Sequence, residues 1–116
     1  MMEDKQIKVE KLWGHEVWHH NDKNYCMKTL FMRHGVKSSM HMHKKKTETF
    51  LVILGIVKLE FEKGEVVLLH KGQAYTIPPN QYHRFSAATL TATVVEASTY
   101  HDESDVFRIE PSRKFR

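Results

Sequence analysis

Apolar and polar positions alternate with a period of two along most of this chain. The clearest case is residues 57–62, where Val57, Leu59 and Phe61 share one face and Lys58, Glu60 and Glu62 the other. Such alternation marks a strand with one buried face. Residues 25–33, 48–54 and 90–98 read as the longest strands, being rich in branched and aromatic side chains. Shorter strands are expected at 5–11, 15–20, 65–70, 74–77 and 82–86. Turn signals separate them: Trp13-Gly14, the polar run 21–24, His34-Gly35, Gly55, Lys63-Gly64 and Lys71-Gly72. Pro78-Pro79 removes two amide donors and forces a loop. From Tyr100 the chain is polar and irregular, with one short strand expected at 106–109. No apolar stripe recurs at helical spacing. Many short strands with closely spaced turns predict an all-β sandwich or barrel.

Length and charge narrow the class. The chain has 116 residues, which suits a single domain over 1–116 with a two-layer core. The formal net charge is +4, but the basic residues are scattered apart from Lys44–Lys46 and residues 112–116. No basic stripe is interleaved with aromatics, so no nucleic-acid partner is expected. Mild basicity suits an anionic small substrate equally well. No apolar run is long enough to span a membrane, and residues 1–11 lack the apolar core of an export signal. The lone Cys26 cannot form an internal disulfide, which fits a reducing cytoplasm.

Candidate chemistry concentrates between Gly35 and Gly55. His41 and His43 lie two apart on an expected strand, so both project to one face while Met40 and Met42 project to the other. The polar run 44–47 suits a hairpin connection, and the return strand opens on Glu48. Two imidazoles and a carboxylate on one face of a hairpin make three corners of a metal site. His15, His19, His20, His34, His70 and His101 have no such spacing and read as structural or solvent-exposed. The two methionines are expected to be covered by the N-terminal strands or by a partner chain.

The spacing of Gly35, His41, His43, Glu48 and Gly55 resembles the first motif of the cupins, G(X)5HXH(X)4E(X)6G. The second cupin motif, G(X)5PXG(X)2H(X)3N, is met over residues 72–87 by Gly72, Pro78 and His83. Asn80 replaces its second Gly and Ala87 its Asn; Asn tolerates left-handed backbone better than most residues. The resemblance implies the cupin fold, a double-stranded β-helix or jelly-roll barrel. It also implies His83 as a fourth ligand beside His41, His43 and Glu48, the four holding one divalent transition metal (Mn, Fe, Ni, Co or Zn).

A narrower resemblance runs through Trp13-Gly14, Tyr25 and Lys28, Gly35, the hairpin, Ile77-Pro78, His83-Arg84 and closing residues 94–110. They follow the order seen in the cupin domain of type II phosphomannose isomerases. That family commonly has Gln at the position of His41, Arg at that of Lys46 and Asn at that of Ala87. The resemblance implies a metal-dependent isomerase of a sugar or sugar phosphate, working as a homodimer. Four protein ligands would leave an octahedral ion two open positions for a hydroxy-carbonyl substrate, whose carbonyl it would polarise as a proton moves between neighbouring carbons. Lys28 is expected to hold a phosphate or hydroxyl. Lys46 is either part of a solvated hairpin tip or a phosphate clamp at the barrel mouth. Tyr75 and Arg84 flank the second motif as candidate cavity residues, with Arg84 alternating away from His83. No residue is singled out as the base. Two other readings stay open: an Fe(II) dioxygenase using the same ligands, and a non-catalytic, metal-bearing sugar-binding module.

Overall fold

The alternating pattern becomes strand almost throughout. A computed structural model describes residues 5–115; residues 1–4, part of the stretch read for an export signal, and residue 116 lie outside it. In chain order the strands are β1 (Ile7–Lys11), β2 (Gly14–Asn21), β3 (Cys26–Arg33), β4 (Val36–Lys37), β5 (Met40–His43), β6 (Glu48–Leu54) and β7 (Val57–Phe61). They continue with β8 (Val66–Leu69), β9 (Ala74–Ile77), β10 (His83–Ala87), β11 (Thr91–Ser98), β12 (Val106–Glu110) and β13 (Arg113–Lys114). A single 3-10 turn, Glu103–Asp105, precedes β12, and no α-helix occurs among the described residues.

Two antiparallel sheets face each other in a cupin jelly roll. The first runs β1-β2-β3-β11-β6-β9. In the second, β10 is central: β7 and then β8 extend one side, while β5 and β4 follow each other along the other side, paired in turn with β12 and β13. Ser38 lies in the break between β4 and β5. Its amide donates to the Phe85 carbonyl at 2.9 Å and its Oγ accepts from the Phe85 amide at 3.0 Å, so β10 loses no hydrogen bond where its neighbour is interrupted.

Parity decides what lies inside. On β3, Cys26, Lys28, Leu30 and Met32 are buried and their neighbours are not. The same alternation brings Phe50 and Val52 of β6, Val94 of β11 and Leu59 and Phe61 of β7 into one core with Trp13, whose ring meets that of Phe85 edge-on at 4.9 Å. Five strands then change character at one end of the barrel. Leu30 gives way to Lys28, Phe50 to Glu48, Val94 to Glu96 and Phe85 to His83, and β5 brings His43. The interior thus has an apolar half, which holds the sheets together, and a polar half, which contains the chemistry.

Two local devices fix the polar half. Asn80 takes a φ of 68°, the left-handed conformation expected of it, and its amide donates to the His43 carbonyl at 2.7 Å. Residues 44–47 do not form the expected hairpin turn: β5 pairs with β10 and β12 in the second sheet and β6 with β11 and β9 in the first, so the segment crosses between the sheets. Asp105 accepts from the Lys44 and Lys45 amides, both at 3.1 Å, and so pins this crossover from the C-terminal segment. That segment, not the N-terminal strands, flanks the methionine face: Met42 lies opposite Phe107 of β12, while β1 pairs only with β2 in the other sheet. Met40 is already buried within one chain.

Candidate metal centre and cavity

β5, β6 and β10 bring His41, His43, Glu48 and His83 to one place. Ligand atoms of His41, His43 and Glu48 lie within 4.8 Å of one another. His83 joins them from across the ladder, paired directly with His41 in register. The His41 and His83 ring centroids are 4.6 Å apart, and Glu48 Oε2 lies 3.1 Å from His43 Nε2 and 3.5 Å from His83 Nε2. Neither carboxylate contact has hydrogen-bond alignment: Glu48 Oε2, His83 Nε2 and His43 Nδ1 are buried without a partner.

The ring orientations are set from behind. His41 Nδ1 donates to the Ser39 carbonyl and His83 Nδ1 to the Gln81 carbonyl, both at 2.9 Å. Each bond places the proton on Nδ1 and leaves Nε2 as a bare lone pair, the arrangement usual behind metal-bound imidazoles. Burial, and next the nearness of His83, push the His41 pKa down to about 3, so its imidazole is neutral at ordinary pH. Burial alone would raise Glu48, but His43, His83 and Lys46 outweigh it and hold the carboxyl well below its usual range. A neutral His41 and two further imidazoles around one carboxylate fit a divalent transition metal. A buried polar atom without a partner costs about 1–3 kcal/mol, and one ion would satisfy several such atoms at once.

A cavity of about 170 Å³ opens beside His41, His43 and Glu48; His83 lies behind them and does not line it. Lys28 and Lys46, the two lysines expected at the site, both line it. Lys46 is not a solvated hairpin tip: it is 2% exposed, with Nζ 2.7 Å from Glu96 Oε2 and donating to His101 Nδ1 at 2.9 Å. Burial would lower its pKa, but Glu96 and Glu48 prevail and raise it. Lys28 Nζ lies 3.5 Å from Glu16 Oε1 and 4.2 Å from the centroid of the Trp18 ring. Tyr75 and Arg84 are absent from the lining. Tyr75 packs against Phe61, the ring centroids 5.7 Å apart. Arg84 falls on the opposite parity to His83 and binds Glu60 and Glu110 on the outer face.

Sequence reasoning missed Glu16, Glu96 and His101. His101 Nε2 donates to Glu103 Oε2 at 2.5 Å, and its backbone is clamped by Asn21, which donates to the His101 carbonyl and accepts from its amide. Burial, followed by Lys46 and Lys28, lowers the His101 pKa. A signal for Glu96 was present: it shares parity with Ala92 and Val94 on a strand whose even positions are apolar. His101 carried no local signal, because it lies in an irregular segment.

Comparison with known proteins agrees with this geometry. A family model described as "Mannose-6-phosphate isomerase C-terminal" matches residues 2–111. The chain is 28% identical over 110 residues to a mannose-1-phosphate guanylyltransferase of Salmonella muenchen, covering 91% of this chain and 23% of that protein. It is 33% identical over 114 residues to a D-lyxose/D-mannose isomerase of Thermosediminibacter oceani, covering 75% of this chain and 63% of that protein. The chain therefore spans less than two thirds of either relative. Among solved structures, the capsular polysaccharide assembling protein CapF of Staphylococcus aureus superposes with a TM-score of 0.76 at 16% identity, covering 91% of this chain and 34% of that one; this likeness is one of fold.

Proposed function

The chain belongs to the mannose-6-phosphate isomerase C-terminal family, and we propose from that membership that it is a metal-dependent aldose–ketose isomerase of a small sugar or sugar phosphate. The observation that carries the reading is that Glu48 Oε2 and His83 Nε2 are buried without a partner 3.5 Å apart, with His43 Nε2 3.1 Å from the same carboxylate oxygen, next to a polar cavity. A divalent ion bound by His41, His43, Glu48 and His83 would polarise a carbonyl oxygen. The chain's own residues do the rest. The Ser39 and Gln81 carbonyls keep the Nε2 lone pairs of His41 and His83 bare. Lys46, steadied by His101, and Glu96 offer a hydroxylated ligand fixed donors and acceptors. The relative named as a D-lyxose/D-mannose isomerase supports a sugar as the ligand class.

The test is metal analysis of the pure protein followed by interconversion assays with D-mannose, D-lyxose and mannose 6-phosphate in Mn-, Co-, Ni-, Fe- and Zn-loaded forms. Turnover that chelation abolishes and metal restores is the expected result. Oxygen consumption with small thiols, diketones or catechols, and no isomerisation, would replace the reading with an Fe(II) dioxygenase. Saccharide binding without turnover in any metal form would leave a binding module.

A further inference from the structure

We propose that the cavity wall formed by Glu16, Lys28, Lys46, Glu96 and His101 is a hydroxyl-reading subsite for an uncharged sugar, and that it disfavours the same sugar carrying a phosphate. The inference rests on the isomerase reading and narrows its substrate class.

The first observation is charge balance. Four basic side chains line the cavity, Lys11, Lys28, Lys46 and Arg108, against four carboxylates, Glu16, Glu48, Glu96 and Glu103. Three of the four cations are already engaged: Lys46 is 2.7 Å from Glu96, Lys28 is 3.5 Å from Glu16 and Arg108 is 4.0 Å from Glu103; Lys11 makes no ion pair among the described residues and lies within electrostatic reach of Glu103. No glycine lines the cavity, and no α-helix presents its N-terminus there, so the backbone devices that usually cradle phosphate are missing.

The second observation is burial. Glu96 is 4% exposed and Lys28 2%. A phosphate carries about −1.5 to −2 charges at pH 7. To bind here it must draw a lysine away from its carboxylate and strand that carboxylate in a dry wall, which is the costly way to break a buried pair. A hydroxyl makes no such demand. Lys46 spends two of its three N–H groups on Glu96 and His101. Glu16 engages Trp18 and Lys28 through Oε1 alone, and Glu96 engages Lys46 and Ser98 through Oε2 alone. One N–H of Lys46, the N–H groups of Lys28 that Glu16 does not take and two carboxylate oxygens remain, a set suited to groups that both donate and accept. Within the wall, Glu16 and Glu96 balance Lys28 and Lys46 without Glu48; a divalent ion at the histidines and Glu48 would add positive charge to the cavity but would release neither lysine from its carboxylate.

The experiment is saturation-transfer NMR titration of D-mannose and D-mannose 6-phosphate against the metal-free and the Zn-loaded protein. The expected result is that D-mannose binds with little dependence on salt, and the phosphate ester binds about tenfold or more weakly. Glu96→Gln and Glu16→Gln each remove one negative charge from the wall and should shift the preference toward the phosphate ester. Glu16 is the less buried of the two, so its variant keeps the test alive if Glu96→Gln does not fold. Equal or tighter binding of the phosphate ester to the wild type overturns this inference and leaves the isomerase reading standing. An unchanged preference in the folded variants also overturns it. No binding of either sugar overturns both.

Discussion

At the scale of single residues, Asn80 couples backbone conformation to the site. Its φ of 68° lies where a side chain with a branched Cβ is strained, and its amide holds the carbonyl of His43. Asn80→Val should cost about 1–3 kcal/mol in chemical denaturation and weaken metal binding with it. Asn80→Gly should be nearly neutral. Equal loss in both variants would mean that the side chain, not the φ, matters. The ligands themselves make a sharper contrast. His43→Ala should remove most of the bound metal, measured by elemental analysis after gel filtration. His19→Ala should not, because His19 is held by Gln6 and Thr29 on the far side of the first sheet's edge strands. Equal metal content in wild type and His43→Ala would remove the centre as drawn.

At the scale of elements, the outer face of the second sheet is tied by Arg84. It sits opposite Glu60 in the β10–β7 ladder, donates to Glu60 Oε2 at 2.9 Å and reaches Glu110 of β12 at 3.1 Å. Burial by itself would raise the Glu60 pKa, but Arg84, Lys37 and Lys58 outweigh it and hold it below 4.5. A depressed carboxylate contributes stability that is complete above its unfolded value and is lost as pH falls through the folded one. Thermal stability should therefore drop below about pH 4.5 partly through Glu60, and Glu60→Gln should flatten that part of the profile. A Glu60→Gln profile parallel to wild type would show that other carboxylates carry the acid loss. The crossover from β5 to β6 makes a second case: Asp105→Ala leaves the Lys44 and Lys45 amides without their acceptor and should cost about 1–2 kcal/mol.

These element-scale contacts also show what the sequence could and could not tell. Strand identity and the shared face of His41 and His43 were legible because both depend on a period of two, which survives any arrangement of the strands; the expected hairpin was not, because no local signal shows that β5 and β6 join different sheets. Arg84 facing away from His83 follows from the same rule. Lys46 defeated it, since a run of three lysines between strands looks solvated. Only the fold shows that Asp105 holds its neighbours while Lys46 turns inward to Glu96. His101 and Glu103 were out of reach for a similar reason: an irregular segment has no period, and its place is set by Asn21, which lies 80 residues earlier in the chain.

At the scale of the whole molecule, the division of the barrel into an apolar and a polar half sets how stability should respond to metal. The apolar half, with Leu30, Phe50, Val52, Leu59 and Phe85 in one cluster, holds the two sheets together whether or not an ion is present. The metal-free protein should therefore stay folded, with far-UV circular dichroism of an all-β chain. The polar half is different: it gathers four imidazoles, two lysines and several carboxylates with unpaired atoms at its floor, so it depends on a ligand for part of its free energy. An ion that binds only the folded state adds RT ln(1 + [L]/Kd), about 2.7 kcal/mol at a hundredfold excess over Kd. For a chain of this length that corresponds to a rise in Tm of roughly 10 °C. Differential scanning calorimetry of chelated protein, titrated with Zn or Mn, should show that rise with a single transition. His83→Ala should abolish most of it while keeping the metal-free Tm within a few degrees, since His83 leaves Nε2 unpaired in the metal-free state. If Tm rises equally in wild type and His83→Ala, the ion is bound somewhere other than the floor of the polar half.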